Sequence, residues 1–333
     1  MKKILVRVLL ALVIGVGIGA GFFFLKWLDS APLSLFDDLK VQEYVRTLDK
    51  YSFQRLRNSS ISPTTINLEK VLEKKPSYTT YLFTYNLGSK KVSGLMNIPT
   101  GKGKFPVILM IRGYVDKEIY YSGLGTKRAG EAYAEQGYLT VAPDFLGYGS
   151  SDEESNDILE ARFAKPLAVL QLLSSLEEFE YADMTRLGIW GHSNGGQIAL
   201  SILEITQQPI PTVLWAPVSL GFPDSILVFV DELADKGAYI KSQLATFDER
   251  YKKDDYSIAS HFSEISAPIQ IHQGTADSEV KTEWTEKTVE TLKSIGKTIT
   301  LYTYQGDDHN FTKGSFPTMM QRDLQFFSKE LKR

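Results

Sequence analysis

The chain has no cysteine among its 333 residues, so disulfides, thiolate nucleophiles and cysteine-ligated metals are excluded. Histidine is nearly as scarce, with four residues, His192, His261, His272 and His309, scattered without metal-ligand spacing. Charge of one sign is also missing. The formal charge is −3, and no basic stripe of the kind a nucleic-acid partner requires is present. The lack of disulfides leaves the compartment open, because a domain of this size does not need them. With 43% hydrophobic residues the chain can build one sizeable core.

Against these absences stands Arg186-Leu187-Gly188-Ile189-Trp190 followed by Gly191-His192-Ser193-Asn194-Gly195. An apolar strand runs into a G-x-S-x-G turn, the nucleophile elbow that lifts a serine onto the start of a helix. The flanking glycines fit because the turn crowds neighbouring backbone. A serine hydroxyl needs a base, and the base an orienting acid. In such a fold the chain order is Ser, acid, His. His192 lies inside the elbow, with its side chain diverging from Ser193. His261 sits in a polar stretch and reads as a surface or cap residue. His272 lies in the apolar strand Pro268–His272 and reads as a packed strand-end residue. His309 follows the β-rich run Thr298–Tyr304 and occupies a turn, which makes it the candidate base. Asp277 follows the preceding strand, 32 positions before His309, and is the candidate acid. Asp307 and Asp308 compete, but they read as turn residues bonded to their own backbone. For the oxyanion hole, the N–H of Asn194 is one candidate donor. The N–H of Tyr114, just after the strand Phe105–Ile111, is the other. Asp144 reads as a loop anchor near the elbow rather than a catalytic acid.

From about Ser77 onward the chain resembles the α/β-hydrolases, most closely the catalytic domain of the prolyl oligopeptidase family of serine peptidases. The resemblance rests on Gly94–Pro99, Phe105–Ile108, Arg112-Gly113-Tyr114 and Ala142–Ser151. It continues through Ile189–Gly196, His272–Asp277 and His309-Asn310-Phe311. It implies a Ser193–Asp277–His309 triad working through an acyl-enzyme, with no metal or organic cofactor. Two departures stand out. The family usually has His-Gly or Tyr-Gly where this chain has Arg112-Gly113, which favours a backbone oxyanion donor. Only about 50 residues precede the hydrolase-like region after the first apolar segment, too few for a propeller whose blades need roughly 40 residues each. A carboxylesterase therefore competes with a peptidase acting on short peptides. A non-catalytic anchored binding protein is the third reading, although no triad member is missing. Haloalkane- or epoxide-type chemistry is disfavoured, since it would place Asp at the elbow.

Residues 1–28 read as an N-terminal membrane anchor. Lys2, Lys3 and Arg7 precede 18 uncharged residues, Val8 to Leu25, and Lys26 and Trp27 form an interfacial end. A cleaved signal peptide is the alternative, without a clean cleavage site. The basic flank places the catalytic domain on the extracytoplasmic side of a single-pass protein. Gly15, Gly17, Gly19 and Gly21 offer a possible homodimer seam, with an ordinary small-residue membrane helix as the simpler alternative.

Residues 29–76 read as a linker and an amphipathic helix over Asp37–Arg57, and residues 77–333 as the hydrolase domain. Strands are expected near 78–86, 91–98, 106–111, 138–142, 186–190, 211–216, 268–272 and 298–304. Their alternation with helices predicts an α/β fold with a mostly parallel, doubly wound sheet. The first two strands read as a hairpin. Residues 220–266 form an insertion with a helix over Ser225–Tyr251, either a small helical cap over the site or a helix packed on the sheet. Gly101–Lys104 reads as a solvated turn. The expected partners are a small peptide or ester and the membrane, with no nucleic acid.

Overall fold

Tyr78–Leu87 (β2), whose burial alternates at its start, and Lys90–Pro99 (β3), buried from Val92 onward, form an antiparallel hairpin with Leu87 opposite Lys90. The structure is a computed structural model that describes residues 46–331. The membrane anchor and glycine seam expected in residues 1–28, the linker and the start of the Asp37–Arg57 helix lie outside the described residues. Among the described residues no helix is long and apolar enough to cross a membrane.

The hairpin belongs to a sheet with β1 (Asn67–Lys74), β4 (Phe105–Ile111), β5 (Leu139–Pro143), β6 (Ala182–His192), β7 (Thr212–Trp215), β8 (Ile269–Gly274) and β9 (Ile299–Tyr304). The order is β1-β2-β3-β5-β4-β6-β7-β8-β9. The β1–β2–β3–β5 side is antiparallel, and every pairing from β5–β4 to β8–β9 is parallel. β1 extends the sheet before the expected boundary at residue 77. It is an edge strand with irregular register, carrying Glu69, Lys70, Glu73 and Lys74, and such charges blunt an edge against further pairing.

The apolar run of β4 is explained by burial on both faces. Val107, Leu109 and Ile111 join one cluster with α3 (Ile158–Glu177) and α4 (Asn194–Thr206). Ile108 and Met110 join another with α2 (Lys127–Glu135) and α8 (Phe316–Glu330). α7 (Thr282–Ser294) covers β8 and β9 through Val289 and Leu292. The doubly wound expectation is met.

Two helix expectations need correction. The described part of the Asp37–Arg57 helix is a 3-10 turn, Asp49–Tyr51, followed by a short helix, α1 (Phe53–Arg57). Ser52 is extended between them (ψ 146°), and its side chain accepts from the Arg55 N–H. The Ser225–Tyr251 helix is likewise divided, into α5 (Asp224–Leu227), a 3-10 turn and α6 (Ala238–Asp248). Asp235 is the cause. It accepts from the N–H groups of Gly237 and Tyr239, both at 2.9 Å, and so starts a new helix after the break. The insertion buries Phe222, Ile240, Leu244 and Phe247 against Leu48, Tyr51, Leu159 and Phe163, away from the main sheet core.

Candidate active site

β6 ends at His192 and α4 begins at Asn194, so the chain reverses at Ser193 alone. Its backbone takes φ 55° and ψ −123°, a strained conformation for a side-chain-bearing residue. The strain is over-determined by neighbours. The Ser193 N–H donates to Trp215 O at 2.9 Å, and the Ser193 carbonyl accepts from Gly196 and Val218. Space is equally tight. A Cβ on Gly195 would lie 2.0 Å from the Ile111 carbonyl oxygen, and one on Gly113 would lie 2.8 Å from Ser193 Cβ. The end of β4, its loop and the elbow can therefore meet only through glycine.

The parallel sheet carries the ends of β6, β8 and β9 to one edge. Asp277 follows β8 and His309 follows β9. His309 Nδ1 and Asp277 Oδ2 are 2.8 Å apart, with the Asp277 side chain fully buried. Asp277 Oδ1 accepts from the N–H groups of Glu279 (2.9 Å) and Val280 (2.8 Å), and Oδ2 also accepts from Gln273 Nε2 (3.1 Å). Burial pushes this carboxyl upward. The bond and charge of His309 and the two backbone donors outweigh it and hold the carboxyl below its ordinary range. A neighbouring carboxylate fixes Nδ1 as the protonated nitrogen of a neutral His309 ring and leaves Nε2 free to accept. Nε2 lies 3.5 Å from Oε2 of the exposed Glu279 carboxylate.

His192 links the elbow to this pair. Its ring lies 4.6 Å from that of His309, centroid to centroid. Its Nε2 is 3.0 Å from the His309 carbonyl oxygen, which can only accept, so Nε2 carries the proton. Burial, and then the neighbouring His309, push the His192 ring down to about 3, so it stays neutral. Its divergence from Ser193, read from the sequence, is what lets it reach the other loop. No sequence signal distinguishes this role.

The candidate oxyanion donors occupy adjoining elements. The Asn194 N–H sits in the first turn of α4, where no helical acceptor exists. The Tyr114 side chain is exposed, and its hydroxyl donates to Asp116 Oδ1 at 2.8 Å. This bond, and then partial burial, raise the phenol to about 12, so the hydroxyl is committed elsewhere. The loop carrying the Tyr114 N–H is braced by Arg112, whose guanidinium donates to Gly113 O and Asp144 O, both at 2.8 Å, and packs over Tyr148 and Tyr120. Asp144 accepts from Ser93, Tyr120 and Ser122, an anchor as expected.

The other candidates go to structural tasks. Asp307 accepts from the N–H groups of Asp308, Lys313 and Ser315, and Asp308 from that of Thr312. His261 bonds Glu264 and the Asp254 carbonyl and packs at a tilt against Phe53. The strand-end reading of His272 needs correction. It lies inside β8 in a buried polar network, bonded to Tyr304 and, at 2.7 Å, to Asp323. Asp323 also accepts from Tyr133, Gln270 and Trp215 Nε1. Trp215 in turn packs edge-on against Trp190 and Phe311.

Residues 126–333, more than half of the chain, match the model of the prolyl oligopeptidase family. The chain belongs to the prolyl oligopeptidase family. As a family member it is a serine hydrolase, and the resemblance drawn from the sequence holds. Among relatives, it is 24% identical to the uncharacterized peptidase YtmA of Bacillus subtilis over 73% of this chain and 92% of that one. It is 36% identical to an uncharacterized protein of Mycobacterium tuberculosis over 29% of this chain, and the match spans only a quarter (25%) of that protein's length. Solved structures place the fold with the α/β-hydrolases. Acetyl xylan esterase 1 from Thermoanaerobacterium superposes with a TM-score of 0.61 at 17% identity, covering 86% of this chain and 94% of that one. A putative dipeptidyl aminopeptidase IV from Bacteroides ovatus gives 0.59 at 14% identity, covering 77% and 36%.

Proposed function

We propose that this family member hydrolyses short peptides with Ser193 as nucleophile, His309 as base and Asp277 as its orienting acid. The observation that carries the reading is the buried 2.8 Å pair of His309 and Asp277, tied through His192 to the elbow that bears Ser193. In the first step Ser193 Oγ attacks the carbonyl carbon and its proton passes to His309 Nε2. Asp277 stabilises the imidazolium. The N–H groups of Asn194 and Tyr114 receive the oxyanion. The imidazolium proton goes to the leaving amine, the C–N bond breaks, and an acyl-Ser193 remains. Water, deprotonated by His309, attacks the acyl group and restores the serine.

An ester substrate is the second reading, favoured by one observation. The acetyl xylan esterase is matched over 94% of its length, whereas the dipeptidyl aminopeptidase is matched over 36%. We also propose that residues 220–266 shape substrate entry as a cap, and that residues 1–28 anchor the enzyme with its catalytic domain extracytoplasmic.

The test is labelling of the full-length chain with a fluorophosphonate, beside Ser193→Ala, followed by turnover of peptide anilides and short 4-nitrophenyl esters. Labelling lost in Ser193→Ala supports the nucleophile. Anilide turnover supports the peptidase, and ester turnover alone supports the esterase. A folded wild-type chain that takes no label would overturn the catalytic reading.

A further inference from the structure

Among the described residues, two cations beside the elbow have no carboxylate within ion-pair distance. Arg162 and Lys165 are one helical turn apart on α3, so they share a face. The Arg162 guanidinium donates to Gln197 Oε1 and, at 3.0 Å, to Ser225 Oγ, both neutral groups. Gln197 is itself one turn of α4 beyond Ser193, about 5.4 Å along the helix axis. Among the described residues, Lys165 Nζ has neither a hydrogen-bond nor an ion-pair partner. Both side chains are partly buried. They line a cavity of about 830 Å³ that reaches Tyr114, the candidate oxyanion loop. They also line a small recess of about 30 Å³ that reaches Asn194 and has no acidic residue in its wall.

The acids of the larger cavity make no ion pair with these two side chains among the described residues, and Glu154 acts on Lys165 only through space. Glu154 is held by Lys117 Nζ at 2.6 Å, and Glu118 and Glu153 are exposed. Glu160, on the same helix, is engaged by Lys50, Tyr51 and Ser155. Burial, then the neighbouring guanidiniums of Arg112 and Arg162, lower Lys165 to about 8, and burial lowers Arg162 to about 10. Keeping two like charges together in a half-buried site is costly unless a ligand repays it.

We propose that Arg162 and Lys165 form a receptor for a carboxylate carried by the substrate, so that the enzyme prefers acidic peptides or half-esters of dicarboxylic acids. The inference rests on the proposed Ser193 reading and names the substrate class of that site. The carboxylate would lie between the Lys165 ammonium and the open side of the guanidinium. The guanidinium reaches the elbow helix through Gln197, and the recess it lines with Lys165 includes Asn194, the residue after the nucleophile. Such a charge-assisted pair discriminates strongly, because a neutral analogue leaves both cations unpaired.

The experiment compares kcat/KM of the full-length enzyme on matched esters. One pair is 4-nitrophenyl butyrate and the 4-nitrophenyl half-ester of succinate, with the charge on the acyl side. The other is phenyl acetate and 4-acetoxybenzoate, with the charge on the leaving side, each corrected for its rate with hydroxide. The expected result is a preference for the charged member of at least one pair by tenfold or more. Lys165→Met should abolish that preference, Lys165→Arg should keep it, and Lys165→Glu should reverse it toward a matched ammonium-bearing ester. A merely structural lysine would not reverse the preference. Ester turnover with no charge preference in either pair, or with a preference that survives Lys165→Met, would overturn the receptor while leaving the Ser193 reading intact. Absence of both turnover and Ser193 labelling would instead overturn the catalytic reading.

Discussion

His192 Nε2 donates to the carbonyl oxygen of His309 across 3.0 Å, joining the residue before the nucleophile to the backbone of the candidate base. His309 is thus held from two sides, by Asp277 on its ring and by His192 on its main chain. His192→Ala should loosen the second hold and lower kcat about tenfold, the equivalent of one lost hydrogen bond of about 1.4 kcal/mol. His192→Gln, which keeps a donor of similar reach, should recover most of the rate. Steady-state kinetics on a 4-nitrophenyl ester checks both. Equal loss in the two variants would mean that ring packing, rather than the donor, matters.

Asp277→Asn should preserve the fold and reduce kcat by a factor on the order of 10⁴, because an amide can no longer fix the Nδ1–H tautomer. A second signature lies in stability. Asp277 is held below its ordinary value of 3.8 in the folded chain. Its contribution is complete above that value and is lost as pH falls through the lower folded-state value. Thermal melts should therefore show a penalty for Asp277→Asn near neutrality that shrinks toward about pH 3. A penalty constant across that range would contradict the assignment.

Glu204, near the end of α4, is fully buried, and neither carboxyl oxygen has a hydrogen-bond partner. The nearby Arg57 guanidinium serves the backbone carbonyls of Glu204 and Ile205 and the carboxylate of Glu264. Burial pushes the Glu204 carboxyl well above its ordinary 4.5, so the folded chain keeps a proton that the unfolded chain releases. Stability then declines as pH rises above that value. Glu204→Leu should raise Tm at about pH 8 by the equivalent of roughly 1–3 kcal/mol, with a smaller gain at about pH 4. Differential scanning calorimetry at the two pH values decides it. An equal gain at both would remove the ionisation argument.

Much of this architecture is written in local signals. Eight strands are legible, the central ones as apolar runs buried on both faces, like Val107–Ile111, the first two as a hairpin with a clear turn at Gly88-Ser89, and the edge strand Ile299–Tyr304 by its β-branched and aromatic residues. β1 is not, because an edge strand with Glu69, Lys70, Glu73 and Lys74 has no buried face to enforce alternation. The elbow and the Asp277 and His309 loops follow from their order behind successive strands. The helix over Ser225–Tyr251 misleads because its apolar spacing continues across Lys236 and Gly237. There, positive φ angles and the Asp235 side chain divide it. Arg162 and Lys165 did leave a mark, two basic residues three apart in an otherwise apolar stretch of α3. Their exposure to a cavity, however, depends on the distant insertion and the Tyr114 loop, which sequence spacing does not encode.

The Trp190–Trp215 pair also makes the enzyme its own optical probe. The two indoles lie 5.0 Å apart at 75°, close enough for their transitions to couple. Trp215 touches Phe311, two residues past His309, and its N–H is fixed by Asp323. Any displacement of the His309 loop would change the packing around this chromophore. Near-ultraviolet circular dichroism and intrinsic emission thus offer a label-free record of any movement of that loop when a ligand or a fluorophosphonate is added.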